Sequence, residues 1–347
     1  MAITTKNRKM KPTSLLRGLL LLCSSFIVLV SQAQKRMIKK FEHNPKYYEM
    51  YADKLTLRVF GGQKSTHFYM PSNVGMKDIN YEANHKLQLG IGATYRNYSL
   101  NIGYGFSSVN NNTGTKGKTK GLDFQFHLYP HKWAIDVMLV MPKGMYIDPK
   151  GYASSNPANY YFRPDVKERL WGFAAYKVPN KEKFSYRAAI AQNEWQKKSA
   201  GSPLYGAEIY YGIIEGDSAM VPLSIQSGYP QKGITEMRYI SIGPGIGYAY
   251  TLVMNEHFYI MGSVIANAKY NIVTEEAPAG DKKKSSFSPS TIVKAGLGYN
   301  SNNWSVGAYI MGNALWVEGK SSTKDYYLPA GTFRVQVAKK FDMNKKK

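Results

Sequence analysis

The chain has 347 residues, 46 Lys and Arg against 23 Asp and Glu, a net charge of +23, 28 tyrosines and a single cysteine, Cys23. Cys23 lies in a segment expected to be removed, so the mature chain is expected to have no disulfide, no cysteine metal site and no thiol nucleophile. In an exported chain this basic balance points to lysine-rich loops facing anionic lipid or polysaccharide, and excludes a nucleic-acid partner as the first reading.

At the N-terminus, Lys6, Arg8, Lys9, Lys11 and Arg17 precede the apolar run Gly18 to Val30 and then Ser31-Gln32-Ala33. That order reads as a cleavable signal peptide, residues 1–33, with the cut after Ala33. The run is short for a membrane-spanning helix. Leu22 stands before Cys23 where a lipoprotein signal needs a small residue. Loss of five basic residues takes the charge from +23 to +18 (23 − 5). Residues 34–53 follow as a periplasmic N-terminal segment opening on the basic stretch Arg36 to Lys40.

Beyond it, no stretch approaches the roughly 20 apolar residues of a spanning helix. Alternation with period two recurs instead. Leu87, Leu89, Ile91, Ala93 and Tyr95 oppose Gln88, Gly90, Gly92, Thr94 and Arg96. Leu122, Phe124, Phe126 and Leu128 oppose Asp123, Gln125, His127 and Tyr129. These are strands with one apolar face and one small or polar face. Export, aromatics beside tight turns (Tyr95 and Tyr98, Tyr129 and Trp133, Tyr299 and Trp304), and short turns alternating with long polar loops favour a transmembrane barrel over a sandwich.

Thirteen strands are predicted, near 54–61, 87–96, 98–107, 121–129, 133–141, 168–178, 183–193, 204–214, 238–252, 257–269, 290–299, 304–314 and 330–341. Bacterial barrels use even numbers. Val221 to Gln226, with Pro222 at a strand start, supplies one more. The expected fold is all-β, an antiparallel barrel over 54–341 with about fourteen strands and twelve as the second count. The outer loops are then 62–86, 108–120, 142–167, 194–203, 227–237, 270–289 and 315–329. The chain ends on an amphipathic strand, with Phe333, Val335, Val337 and Phe341 on one face, and a basic tail, 342–347.

The predicted lumen face gathers Arg58, Arg96, Asp123, Gln125, His127, Asp136, Arg187 and Glu208. A histidine among carboxylates suits acid–base work or a metal, but such residues more often form a salt-bridged barrel interior. An Arg187–Glu208 pair is expected, joined by Arg58, Arg96 and Arg169, since an unpaired interior charge is costly. Gly243-Pro244-Gly245-Ile246-Gly247 lacks the lysine-serine pair and helix of a phosphate loop and reads as a strand with a small lumen face. Asn193 to Ser202 is placed as an outer-rim turn, with Glu194, Lys197 and Lys198 as surface candidates. No His-x-Ser-Asn-Gly segment supports a lipid-modifying enzyme, and neither a metal nor another cofactor is implied.

Tyr51-Ala52-Asp53-Lys54-Leu55-Thr56-Leu57-Arg58, Phe162-Arg163-Pro164-Asp165, Phe184-Ser185-Tyr186-Arg187-Ala188-Ala189, Gln196 to Ser202, Gly243 to Tyr250 and Gly298-Tyr299-Asn300 together resemble the domain of unknown function 4421 family of exported bacterial proteins. The resemblance covers nearly all of the mature chain. It implies an outer-membrane barrel and carries over no catalytic residues. The expected function is a passive pore or small-solute channel. Alternatives are a closed structural or interaction barrel touching lipopolysaccharide or a periplasmic partner, and a lipid-modifying enzyme. The outer-membrane bilayer and the barrel-assembly machinery are the expected partners.

Overall fold

The structure is a computed structural model that describes residues 43–72, 75–85, 87–96, 98–105, 113–129, 132–322 and 324–343; at 104, 105, 122, 123 and 125 it describes the backbone alone. The expected signal peptide, the Arg36 to Lys40 stretch and residues 344–347 of the tail lie outside the described residues.

In chain order the strands are β1 Tyr48–Met50, β2 Lys54–Met70, β3 Ile79–Ala83, β4 Gln88–Tyr95, β5 Tyr98–Gly105, β6 Lys120–Leu128, β7 Trp133–Asp148, β8 Tyr161–Lys177, β9 Glu194–Gln196, β10 Ala200–Glu215, β11 Glu236–Met254, β12 Phe258–Glu276, β13 Lys282–Asn300, β14 Trp304–Val317 and β15 Tyr326–Asp342. Among the described residues two short helices, α1 Thr113–Lys116 and α2 Tyr186–Ile190, and a 3-10 turn, Leu223–Gly228, interrupt them. One antiparallel sheet runs from β15 through β14, β13, β12, β11, β10 and β8 to β7, then through β6, β5 and β4 to β2, and β2 pairs back onto β15. That is a closed ring of twelve strands, the second of the two expected counts.

Twelve of the fourteen expected strands are therefore present. The two that differ are 183–193, which turns inward through α2, and 221–226, which holds the 3-10 turn. Residues 184–193 are buried throughout, so an apolar residue at every second position does not distinguish a strand there. In 221–226 Val221 is buried but Leu223 is exposed, and the chain after Pro222 forms the turn.

The wall shows the expected alternation. Along β11, Ile240, Ile242, Ile246, Tyr248, Tyr250 and Leu252 face out, while Tyr239, Ser241, Ala249 and Thr251 are buried inside. Aromatics collect outside at both ends. Tyr95, Trp133, Phe258, Trp304 and Phe341 stand by the tight turns. The pairs Trp171–Tyr211, Tyr270–Phe287 and Trp316–Tyr327 stand by the long loops. Two such girdles bound the apolar band of a transmembrane barrel. By the same rule the tight-turn end is periplasmic and the long-loop end is outer.

The ring changes size along its axis. β3 pairs only with the outer ends of β2 (His67 to Met70) and β7 (Met145 to Asp148). It bridges the gap above the shorter β4, β5 and β6, so three strands give way to one and twelve become ten. Strands β7, β8 and β10 to β13 have 16 to 19 residues, against the roughly 9–11 that cross a bilayer. The surplus carries outward charges past the outer girdle. Lys167 and Arg169 both reach Glu215, at 2.7 and 2.6 Å, and Arg238 reaches Glu276 at 2.9 Å. Arg169 thus faces out and does not join the lumen cluster.

Candidate functional site: a plug held in the lumen

Between β8 and β10 the chain enters the ring at its tight-turn end. Ser185 caps α2, its Oγ accepting from the Ala188 N–H at 3.0 Å. The C-terminal carbonyls of a helix have no partner within it. Here the wall supplies one for each. Asn300 Nδ2 donates to the Ala188 carbonyl at 3.1 Å, Tyr259 Oη to Ala189 at 3.2 Å, Gln336 Nε2 to Ile190 at 3.0 Å and Arg58 Nη2 to Ala191 at 2.7 Å. Those donors come from β13, β12, β15 and β2. The Arg187 carbonyl accepts the N–H groups of Ala191 and Gln192. Tyr186 Oη reaches Ser263 on the wall at 3.0 Å.

Arg58 is 3% exposed and also donates to Ser99 and Asn101, each at 2.9 Å, and to Thr94. It lies flat against the wall over Gly92, where a Cβ would come 2.7 Å from the Arg58 Cγ. A glycine is required for that approach.

The rest of the segment is tied from below. β9 pairs with β1. Glu194, 1% exposed, meets Arg187 at 3.4 Å and Lys181 at 3.8 Å, and accepts from Ser185 Oγ. Burial works to raise the Glu194 pKa. The two cations and the hydroxyl outweigh it and hold the carboxyl below its ordinary range. Trp195 stacks on His257, which stacks on Tyr299, at 4.8 and 5.1 Å.

Above the plug the lumen carries two ion-paired groups. Glu208 meets Lys269 at 2.7 Å and accepts from Ser290 and Tyr210 at 2.7 and 3.0 Å. Asp136 binds His127 Nδ1 at 2.6 Å and Lys294 at 2.7 Å. Higher still, Phe68, Met70, Ile79, Tyr81, Met145, Val273, Leu315 and Val317 pack with Met220, Val221 and Tyr229 of the loop between β10 and β11, forming an apolar core inside the ten-strand storey. Tyr81 Oη donates to the Met220 carbonyl.

The expected site residues divide accordingly. Arg58, His127, Asp136, Arg187 and Glu208 are in the lumen. Asp123 and Gln125 have side chains outside the description. Arg96 is corrected: it is exposed in the β4–β5 turn at φ 53°, and its carbonyl accepts from Arg187. The expected Arg187–Glu208 pair is also corrected. Arg187 belongs to the plug and takes Glu194, which leaves Glu208 to Lys269. Glu194, Lys197 and Lys198 lie at the tight-turn end rather than the outer rim, because the chain from 183 to 193 does not cross the membrane. Of these three only Lys198 is exposed; Lys197 pairs with Glu49 at 2.7 Å. Lys269 and Lys294 were missed, although each sits on the polar face of an alternating strand.

A closed antiparallel ring with an apolar exterior, two aromatic girdles and loops of unequal length defines a transmembrane β-barrel of the outer membrane. The chain belongs to the domain of unknown function (DUF4421) family, whose model matches residues 44–341. No curated protein matches it. Among solved structures it is similar to the outer membrane protease OmpT of Escherichia coli (10% identity, 84% of this chain and 97% of that one, TM-score 0.34). It is also similar to OprG of Pseudomonas aeruginosa (12%, 87% and 99%, 0.24) and to the toluene transporter TodX of Pseudomonas putida (8%, 84% and 90%, 0.28).

Proposed function

We propose that the protein is a closed outer-membrane barrel that works as a structural or interaction element through its two ends, rather than as a passive pore. One observation carries this reading: four successive plug carbonyls, Ala188 to Ala191, are each held by a side chain from a different wall strand. Displacing the plug leaves four buried acceptors and their donors to be resatisfied, at about 1–3 kcal/mol for each group left unpaired. The apolar core of the outer storey supports the same reading from the other end, since packed side chains of the wall and of the β10–β11 loop fill the ring there.

Planar-bilayer conductance tests it. Folded protein is expected to give no steady current under applied voltage. A reproducible steady conductance would restore the pore.

A further inference from the structure

We propose that the outer wall carries a binding site for an anionic phospholipid of the periplasmic leaflet, with its phosphate at Lys339 and an acyl chain in a groove over Ala93. The site uses only outward-facing residues, so it stands independently of whether the lumen is closed.

Residues directly paired across an antiparallel wall share a face. One outward row runs Trp304, Lys339, Leu57, Ala93 and Leu100 across β14, β15, β2, β4 and β5. The next row toward the membrane centre runs Val306, Val337, Val59, Ile91 and Ile102. The second row is branched aliphatic throughout. In the first, Ala93 places a lone methyl between Leu57 and Leu100. The result is a groove of about 480 Å³ between the rows, with Phe341 at its edge.

Among the described residues one outward-facing cation, Lys339, stands on that groove. The Lys339 ammonium lies 4.9 Å from the Trp304 ring and 5.3 Å from the Phe341 ring, held by their faces at the level of the girdle. No carboxylate pairs with Lys339 among the described residues, and Asp342 is taken by Lys54 at 3.3 Å. A long lysine at the interface keeps its stem on apolar surface and its charge at headgroup depth. Trp304 begins β14 next to a tight turn, so the leaflet is the periplasmic one. An apolar trough ending on an uncompensated cation fits a lipid whose headgroup is net negative.

Native mass spectrometry of the full folded chain, released from micelles doped equally with phosphatidylglycerol and phosphatidylcholine, tests this. The wild type is expected to retain phosphatidylglycerol over phosphatidylcholine by about fivefold, the preference one lysine gives near an anionic headgroup. Lys339→Gln should bring the ratio to about one while lipid still binds. Ala93→Phe, which fills the trough from the exposed side, should lower retention of both lipids. Equal or no retention by the wild type, or a preference that survives Lys339→Gln, overturns the phosphate assignment. Unchanged retention in Ala93→Phe overturns the groove.

Discussion

The two storeys of this barrel are filled by opposite chemistry. At the tight-turn end, twelve strands surround a piece of the chain's own backbone, and wall side chains cap its carbonyls one by one. At the long-loop end, ten strands surround a mainly apolar packing: Phe68, Ile79, Tyr81, Val273 and their neighbours pack with Met220, Val221 and Tyr229 of the β10–β11 loop as a soluble protein's core does. Apolar packing has no direction and tolerates small changes of shape. Capping is directional, and removing one donor strands a buried acceptor. The lower storey is therefore set by identity, and the upper storey by volume.

That contrast can be broken by mutation, read as urea unfolding in micelles. Phe68→Ala empties the upper core and is expected to cost the most, about 3–5 kcal/mol. Arg58→Met should cost about 2–3 kcal/mol, although it keeps much of the volume, because four acceptors lose their donor. The sharper comparison pairs two mild changes. Gln336→Met is expected to cost about 2 kcal/mol by uncapping Ile190, against about 1 kcal/mol for Ile79→Val in the upper storey. If the two costs came out in the reverse order, the distinction between storeys would fail.

The smallest effect is one of pH. The Glu194 carboxyl sits below its ordinary range in the folded protein, so the unfolded chain binds the proton more readily. Its contribution is fully present above the ordinary carboxylate range and is lost as pH falls through the native value. Glu194→Gln should flatten the decline in urea midpoint between about pH 7 and about pH 3. A decline identical to that of the wild type would remove Glu194 from the plug's anchoring.

The wall was legible because lipid on one side and a lumen on the other impose period two on every strand that crosses. The plug was not, for the same reason. Phe184, Tyr186, Ala188 and Ile190 repeat with period two, yet the segment is surrounded by protein on all sides and folds as a helical turn. Ser185 before Tyr186-Arg187-Ala188-Ala189 was the available signal, since serine is a preferred helix cap. Reading 183–193 as a strand also turned Glu194, Lys197 and Lys198 to the wrong end. Within the lumen, the polar face identified Arg58, His127, Asp136 and Glu208. His127 meets Asp136 on the adjacent strand, but the lysines that meet Glu208 and Asp136 lie on strands that are not their neighbours. Asp136 on β7 meets Lys294 on β13, and no local spacing encodes that distance. β3 passed as loop because five residues between polar neighbours carry too little pattern.

The seating of the plug is tested most directly by thiol accessibility, which is simple here because Cys23 is the only cysteine in the sequence. Ala189 is buried in the plug and Lys198 is exposed just outside it. In folded protein in lipid, Ala189→Cys is expected to stay inert to a charged thiol reagent that labels Lys198→Cys readily, and both should react once urea unfolds the barrel. Labelling of Ala189→Cys in the folded protein at the rate of Lys198→Cys would mean that the plug does not occupy the lumen.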